Sequence, residues 1–161
     1  MPRVMLDTNV LLDYLLGRQP VADQCSRILR CLLHEGTSPI VSSLSLKDCY
    51  YLVGRNLKKA IRDKEGTVSD ADALAVNEVA WACVDTLLRV AEVSNVGKGE
   101  VLGAKTLRFL HGDFEDDLIL ASAQSLSVDL LVSSDQNLLR HAPVACLTPQ
   151  DACLLLDQRD L

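Results

Sequence analysis

An α/β fold built on a parallel sheet is the class that this 161-residue sequence predicts. Three observations carry the expectation. Short apolar runs alternate with longer stretches of helical periodicity, the signature of βαβ units joined by right-handed crossovers. Gly, Pro, Ser, Thr or Asp residues punctuate the changes of pattern. No repeat, linker or low-complexity stretch divides the chain, so one domain over residues 1–161 is expected.

The first strand is Val4-Met5-Leu6, and Asp7-Thr8-Asn9 stand where it gives way to a helix that stops at Gly17. Pro20 opens a second helix, with apolar residues at Val21, Ile28, Leu29, Leu32 and Leu33, closed by His34-Glu35-Gly36. Residues 38–43 read as a buried strand leaving through serines, followed by a helix from about Leu44 to Ile61 that carries Asp48 in its first turns. Residues 63–70 form a polar connection, with Ser69 or Asp70 capping a helix to about Val90. A third strand covers Ala91 to Val96, and a short helix ends around His111-Gly112. Asp113-Phe114-Glu115-Asp116-Asp117 then opens an Ala- and Leu-rich helix to about Leu126. Val128 to Val132 is the fourth strand and runs into Ser133-Ser134-Asp135. A short helix over Gln136 to Arg140, a fifth strand over Val144 to Leu147 and a final helix from Thr148-Pro149 complete the order.

Composition narrows the function. A hydrophobic content of 48% with 24% charged residues is that of a globular protein, and the 4% aromatic share makes the core aliphatic. The six cysteines form no CxxC pair and no metal-ligand spacing, so they read as small buried hydrophobes of a reduced protein. No signal peptide precedes the first strand and no apolar run is long enough to span a bilayer, so a cytoplasmic location without a membrane partner is expected. A net charge of −6 argues against a tight non-specific nucleic-acid binder, yet suits a site that gathers carboxylates around a cation.

The acids are informative through their placement. Asp7 ends the first strand, Asp48 follows the second, Asp116 opens the helix after the third, and Asp135 ends the fourth. In a parallel sheet such positions share the edge where α/β folds bind ligands. Four carboxylates together repel unless a cation sits among them, and hard oxygen donors favour Mg²⁺ or Mn²⁺ over Zn²⁺. Each acid also has a plainer explanation. Asp7 and Asp135 are good helix caps, Asp48 suits a first helical turn, and residues 113–117 resemble any acidic helix start.

Leu6-Asp7-Thr8-Asn9-Val10-Leu11-Leu12 resembles the amino-terminal motif of the PIN-domain nucleases, in which the Asp is a metal ligand and the Asn supports it. Gly112-Asp113-Phe114-Glu115-Asp116-Asp117-Leu118-Ile119 is similar to that family's "D-F-E-D" helix, whose final Asp, here Asp116, is the catalytic one. Val132-Ser133-Ser134-Asp135 resembles the strand end that usually reads Thr-x-Asp, and Val41-Ser42-Ser43-Leu44-Ser45-Leu46-Lys47-Asp48 resembles the segment supplying the second acid. The resemblance covers nearly the whole chain in family order. It implies a three-layer α/β/α fold with a central, mostly parallel sheet of about five strands.

It also implies a Mg²⁺- or Mn²⁺-dependent endoribonuclease. Asp7, Asp116 and Asp135 would bind metal, and Asp48 would bind directly or through water. Asn9, Ser133 and Asp117 would act as supporting residues. The substrate would be single-stranded or looped RNA, and bacterial members often serve as toxins, which adds an antitoxin protein and a second copy of the chain as candidate partners. Two departures stand out. Asp48 replaces the commoner Glu, and Asp117 replaces a small apolar residue, so the facing of the two adjacent acids needs a reason. Leu120 and Ala123 lie at helical spacing from Asp116, which favours Asp116.

A competing reading is a PIN-like binding module, catalytically weak or silent, that works through a partner protein. Leu12, Leu15, Leu16 and Val21 are its candidate surface, or else simply core. A haloacid-dehalogenase-type phosphatase would need a second Asp in place of Asn9. Arg55, Lys58, Lys59, Arg62 and Lys64 form a basic cluster that reads as a solvated helix face or as phosphate contacts beside the site. Trp81 and Tyr50-Tyr51 are expected in the core or against a partner. His34, His111 and His141 are expected at helix ends.

Overall fold

A computed structural model describes residues 2–110 and 112–158. Its five strands, β1 (Val4–Leu6), β2 (Ile40–Ser42), β3 (Glu92–Ser94), β4 (Leu130–Val132) and β5 (Cys146–Leu147), form one parallel sheet in the order β3-β2-β1-β4-β5. Register is tight around the centre: Val4, Met5 and Leu6 of β1 pair with Leu130, Leu131 and Val132 of β4. The three inner strands are buried along their whole length, as parallel strands covered on both faces must be.

Alternation along the strands divides the core in two. Val4, Leu6, Val41, Leu130 and Val132 face one layer, formed with α1 (Thr8–Leu15), α2 (Val21–His34), α8 (Pro149–Asp157) and residues of α3 (Ser43–Glu65) and α4 (Asp70–Val90). Met5, Ile40 and Leu131 face the other, formed with α5 (Lys98–Leu107), α6 (Phe114–Ser125) and α7 (Gln136–His141). The result is the expected three-layer α/β/α arrangement. Cys25, Cys49 and Cys153 are buried in the first layer, and all six cysteines are free thiols.

Several boundaries differ from expectation: β4 and β5 begin at Leu130 and Cys146 rather than at Val128 and Val144, the short helix before α6 ends at Leu107, and two further differences have clear physical reasons. The third helix runs on to Glu65, because Arg62, Lys64 and Glu65 are good helix formers and the basic pair suits the carboxyl end. It stops only at Gly66, whose φ of 82° is the left-handed conformation a helix exit favours, and whose N–H donates to the Arg62 carbonyl. The third strand is shorter than its apolar run because it is the sheet's edge, with Glu92 exposed and Ser94 buried. Ser69, rather than Asp70, caps α4 through a reciprocal capping box with Asp72.

The course of α6 matters most for the site. It leads into β4 at the edge where strands begin, since the Asp129 N–H donates to the Arg3 carbonyl just ahead of β1. Twelve helical residues span about 18 Å, so the start of α6 lies back at the edge where strands end. Gly103 lets α5 close on this helix: a Cβ there would meet the Ala121 Cβ at 3.0 Å. Among the described residues no helix is long and apolar enough to cross a membrane.

Candidate functional site

The β1–α1 junction is organised by Asp7, which is 5% exposed. One of its oxygens accepts from the Thr8 N–H at 2.7 Å. The other accepts from Asn9 Nδ2 at 2.8 Å and from Ser133 Oγ at 2.6 Å. Asn9 also donates to Ser133 Oγ at 3.3 Å, while its Oδ1 accepts from the Ser134 N–H at 3.1 Å. The Asp135 N–H completes the set by donating to Ser133 Oγ at 2.9 Å. Every donor and lone pair of Ser133 is thereby used, as are both amide protons of Asn9. An Asp at position 9 would have no proton to give, so the network requires the amide.

This lattice joins the exits of β1 and β4, which are adjacent strands. Asp135 caps α7 with Oδ1, accepting from the N–H groups of Asn137 and Leu138, so its capping role is real. It also stands close enough to Asp7 to raise that carboxyl further. Burial is the larger cause of the upward shift at Asp7, offset by the hydrogen bonds from Ser133, Thr8 and Asn9.

A second carboxyl pair lies where β2 exits. Asp48 sits in the first turns of α3, with Lys47 Nζ 2.6 Å from its Oδ1. Its Oδ2 is buried and accepts no hydrogen bond. Glu115, in the first turn of α6, meets this carboxyl. Although much of Glu115 is exposed, desolvation of its carboxyl and then the adjacent Asp48 push its pKa up to about 7, against the pull of Lys47. Sequence reading had treated Glu115 only as part of an acidic helix start. Its position, one residue before Asp116 on the helix that returns to β4, was the available signal.

Asp116 is half-buried in the same first turn and Asp117 is 2% exposed, and both engage other residues. The facing argument for Asp116 loses its force here, because α6 is buried without interruption from Asp117 to Ala123. Thr8 Oγ1 donates to Ser45 Oγ at 2.9 Å, tying the Asp7 junction to the helix that carries Asp48. Asp7 and Asp135 thus form one group and Asp48 and Glu115 another, joined through Thr8 and Ser45; α5 intervenes between β3 and α6, so Asp116 does not follow directly on the exit of the third strand as expected. Among the described residues no three Asp, Glu, His or Cys side chains gather closely enough to hold a metal together.

The donor set nevertheless suits a hard cation. It is made of carboxylate oxygens, one of which, on Asp48, is buried without a hydrogen-bond donor, and an ion bound at either carboxyl pair would relieve the repulsion within that pair. The thiols offer no competition, since burial raises Cys25, Cys49 and Cys146 to about 12 and keeps them protonated. His34 and His141 fall in the last turns of α2 and α7, as expected, and His111 lies outside the described residues.

Carboxyl repulsion has a consequence for stability. The folded protein holds the Glu115 proton more tightly than the unfolded chain, whose ordinary value is 4.5. Stability therefore falls as pH rises from 4.5 through about 7, and is level in this respect beyond it. Urea midpoints at about pH 5 and about pH 8 should differ less for Glu115→Gln than for the unaltered protein. Equal differences in the two would show that Glu115 does not titrate this way.

An open parallel sheet with acids at its strand exits and a buried Asp held by Asn and Ser places this chain among the α/β folds whose ligand edge lies at the carboxyl ends of the strands. The PIN-domain family model matches residues 3–137, and the chain belongs to that family. Two solved structures share the fold. VapBC2 from Rickettsia felis, bound to a DNA fragment from its promoter, is 17% identical with a TM-score of 0.61, covering 90% of this chain and 97% of that one. DNA-bound VapBC from Salmonella typhimurium is 17% identical with a TM-score of 0.65, covering 92% and 99%. No curated protein matches the sequence.

Proposed function

We propose that this chain is a divalent-metal-dependent endoribonuclease that hydrolyses single-stranded or looped RNA, and that it acts as the toxin of a toxin–antitoxin pair. The observation that carries the reading is the buried Asp7, held by Asn9 and Ser133 beside Asp135 at the strand-exit edge. Asp7, Asp116 and Asp135 would hold Mg²⁺ or Mn²⁺, with Asp48 binding directly or through water. Such an ion, when bound, supplies Lewis-acid charge to the phosphate and eases deprotonation of the attacking water.

The chain's own groups do the rest. Asn9 and Ser133 fix the orientation of the Asp7 carboxylate, the usual role of hydrogen-bonding partners behind a ligand. Asp117 supports the site from its buried position on α6. Asp48 orients the water, and Glu115 keeps a proton near neutral pH until a cation relieves the pair. No covalent enzyme intermediate is needed, because positioning and charge stabilisation suffice for phosphodiester hydrolysis. The complexes formed by the two VapBC relatives support an antitoxin partner for this chain.

A second reading, a module that acts by binding a partner, is favoured by one observation: the described residues hold no three-ligand cluster. The two part on a simple assay. Purified protein should cut a mixed single-stranded RNA with Mg²⁺ or Mn²⁺ added and leave it whole in EDTA. RNA left whole under both conditions would overturn the nuclease and leave the binding module.

A further inference from the structure

Helices α3 and α4 enclose an open groove of about 860 Å³ that the candidate site does not use. One wall carries Arg55, Lys58, Lys59 and Arg62, spaced so that all four lie on one face of α3. All four are exposed, and none makes an ion pair with any described residue. Asp70 is the acid found along this groove. In a chain of net charge −6, four unpaired cations on one stripe are a local reversal of sign.

Nearer the site the lining becomes aromatic. Tyr50 and Tyr51 stand edge to face at 5.1 Å between centroids, and Tyr50 packs against Trp81 of α4 at 5.1 Å. A hydrogen bond from Tyr50 Oη to Asn77 Oδ1 holds the first ring. Tyr51 and Trp81 remain 65% and 53% exposed, so of the two expected places, core or partner-facing surface, the core is ruled out for them: Tyr51 lines the groove, and Trp81 is a surface ring packed beside it on Tyr50. Gly54 lies on the floor. A helix-interior glycine costs about 1 kcal/mol against alanine, yet a Cβ there would meet only Val76 at an ordinary 3.8 Å. Packing does not demand this glycine, and its absent side chain leaves the floor open.

The order along α3 is then carboxylate at Asp48, rings at Tyr50 and Tyr51, and cations from Arg55 to Arg62, covering about 21 Å of helix axis. We infer that this groove is a track for single-stranded RNA, the bases resting on Tyr51 and Trp81 and the phosphates on the α3 cations. Charge alone would equally suit an acidic peptide. The exposed rings, and the track's continuity with Asp48 on the same helix, favour an unstacked nucleic-acid strand. The inference rests on the nuclease reading for its substrate, but its test does not depend on cleavage.

Binding of a labelled oligouridylate of about a dozen residues is followed by fluorescence anisotropy in EDTA. Lys58→Glu combined with Lys59→Glu should weaken binding about tenfold or more, and the slope of log affinity against log salt should fall by about 1.4, two lost phosphate contacts. Tyr51→Ala, a second exposed position, should weaken binding about tenfold with the salt slope kept. Unchanged affinity and slope in the double variant would overturn the track. So would polyglutamate displacing the RNA from the double variant and the unaltered protein alike. Hydrolysis of bis(p-nitrophenyl) phosphate with Mn²⁺ separates the two readings. A protein that binds RNA through these residues but leaves this small diester whole keeps the track and loses the nuclease. One that hydrolyses it while the double variant binds RNA normally keeps the nuclease and loses the track.

Discussion

Asp7→Asn should reduce metal-dependent RNA cleavage by about 10²- to 10⁴-fold in kcat, the equivalent of the several kcal/mol of charge stabilisation that a catalytic divalent ion provides. The substitution removes a ligand charge while keeping size. It also leaves one acceptor oxygen where Asp7 uses two, so the new NH₂ must face either the Thr8 N–H or the donors of Asn9 and Ser133. The junction between β1 and β4 would lose one acceptor as well as its charge. Single-turnover cleavage at saturating Mn²⁺ measures the effect, with circular dichroism confirming the fold. Cleavage within twofold of the unaltered protein would remove Asp7 from the reaction.

Leu131→Ala should cost about 2–5 kcal/mol of folding stability, a large part of the roughly 5–15 kcal/mol that keeps a domain folded. Leu131 is fully buried on β4, between Met5 of β1 and Cys146 of β5 in register. Its side chain belongs to the layer formed with α5, α6 and α7, where Met5, Ile40, Leu120 and Leu138 surround the same core. Truncation leaves a cavity in the core layer against the sheet, lined by the other buried side chains of that cluster. The urea midpoint should fall without a change in slope, and Tm should drop by about 5–15 °C. A loss under about 1 kcal/mol would mean that the central strands are packed far more loosely than described.

The order of strands and helices was legible because each inner strand is a short apolar run bounded by residues that cap or break, and most helices, α6 excepted, carry apolar residues at helical spacing. Sheet order was not, since nothing local records that β1 lies between β2 and β4. The end of α3 was misjudged because Arg62 to Glu65 are as polar as a loop, and only Gly66 gives the true stop. At the site, the Asp7, Asn9 and Ser133 arrangement was legible as a motif, and the structure supplies the donor-by-donor reason for it. Glu115 was passed over because its partner, Asp48, is distant along the chain. For Tyr51 and Trp81 the sequence leaves core and partner-facing surface equally open, and only the α3–α4 pairing excludes the core and puts the rings on the surface near the cations.

The central claim is that acids from separate strand exits share one hard cation. Anomalous diffraction from crystals grown with Mn²⁺ tests it most directly. The account predicts a manganese peak contacting the Asp7 carboxylate and at least one of Asp48, Asp116 and Asp135. A peak that avoids Asp7, or none at Mn²⁺ concentrations that support cleavage, would contradict it.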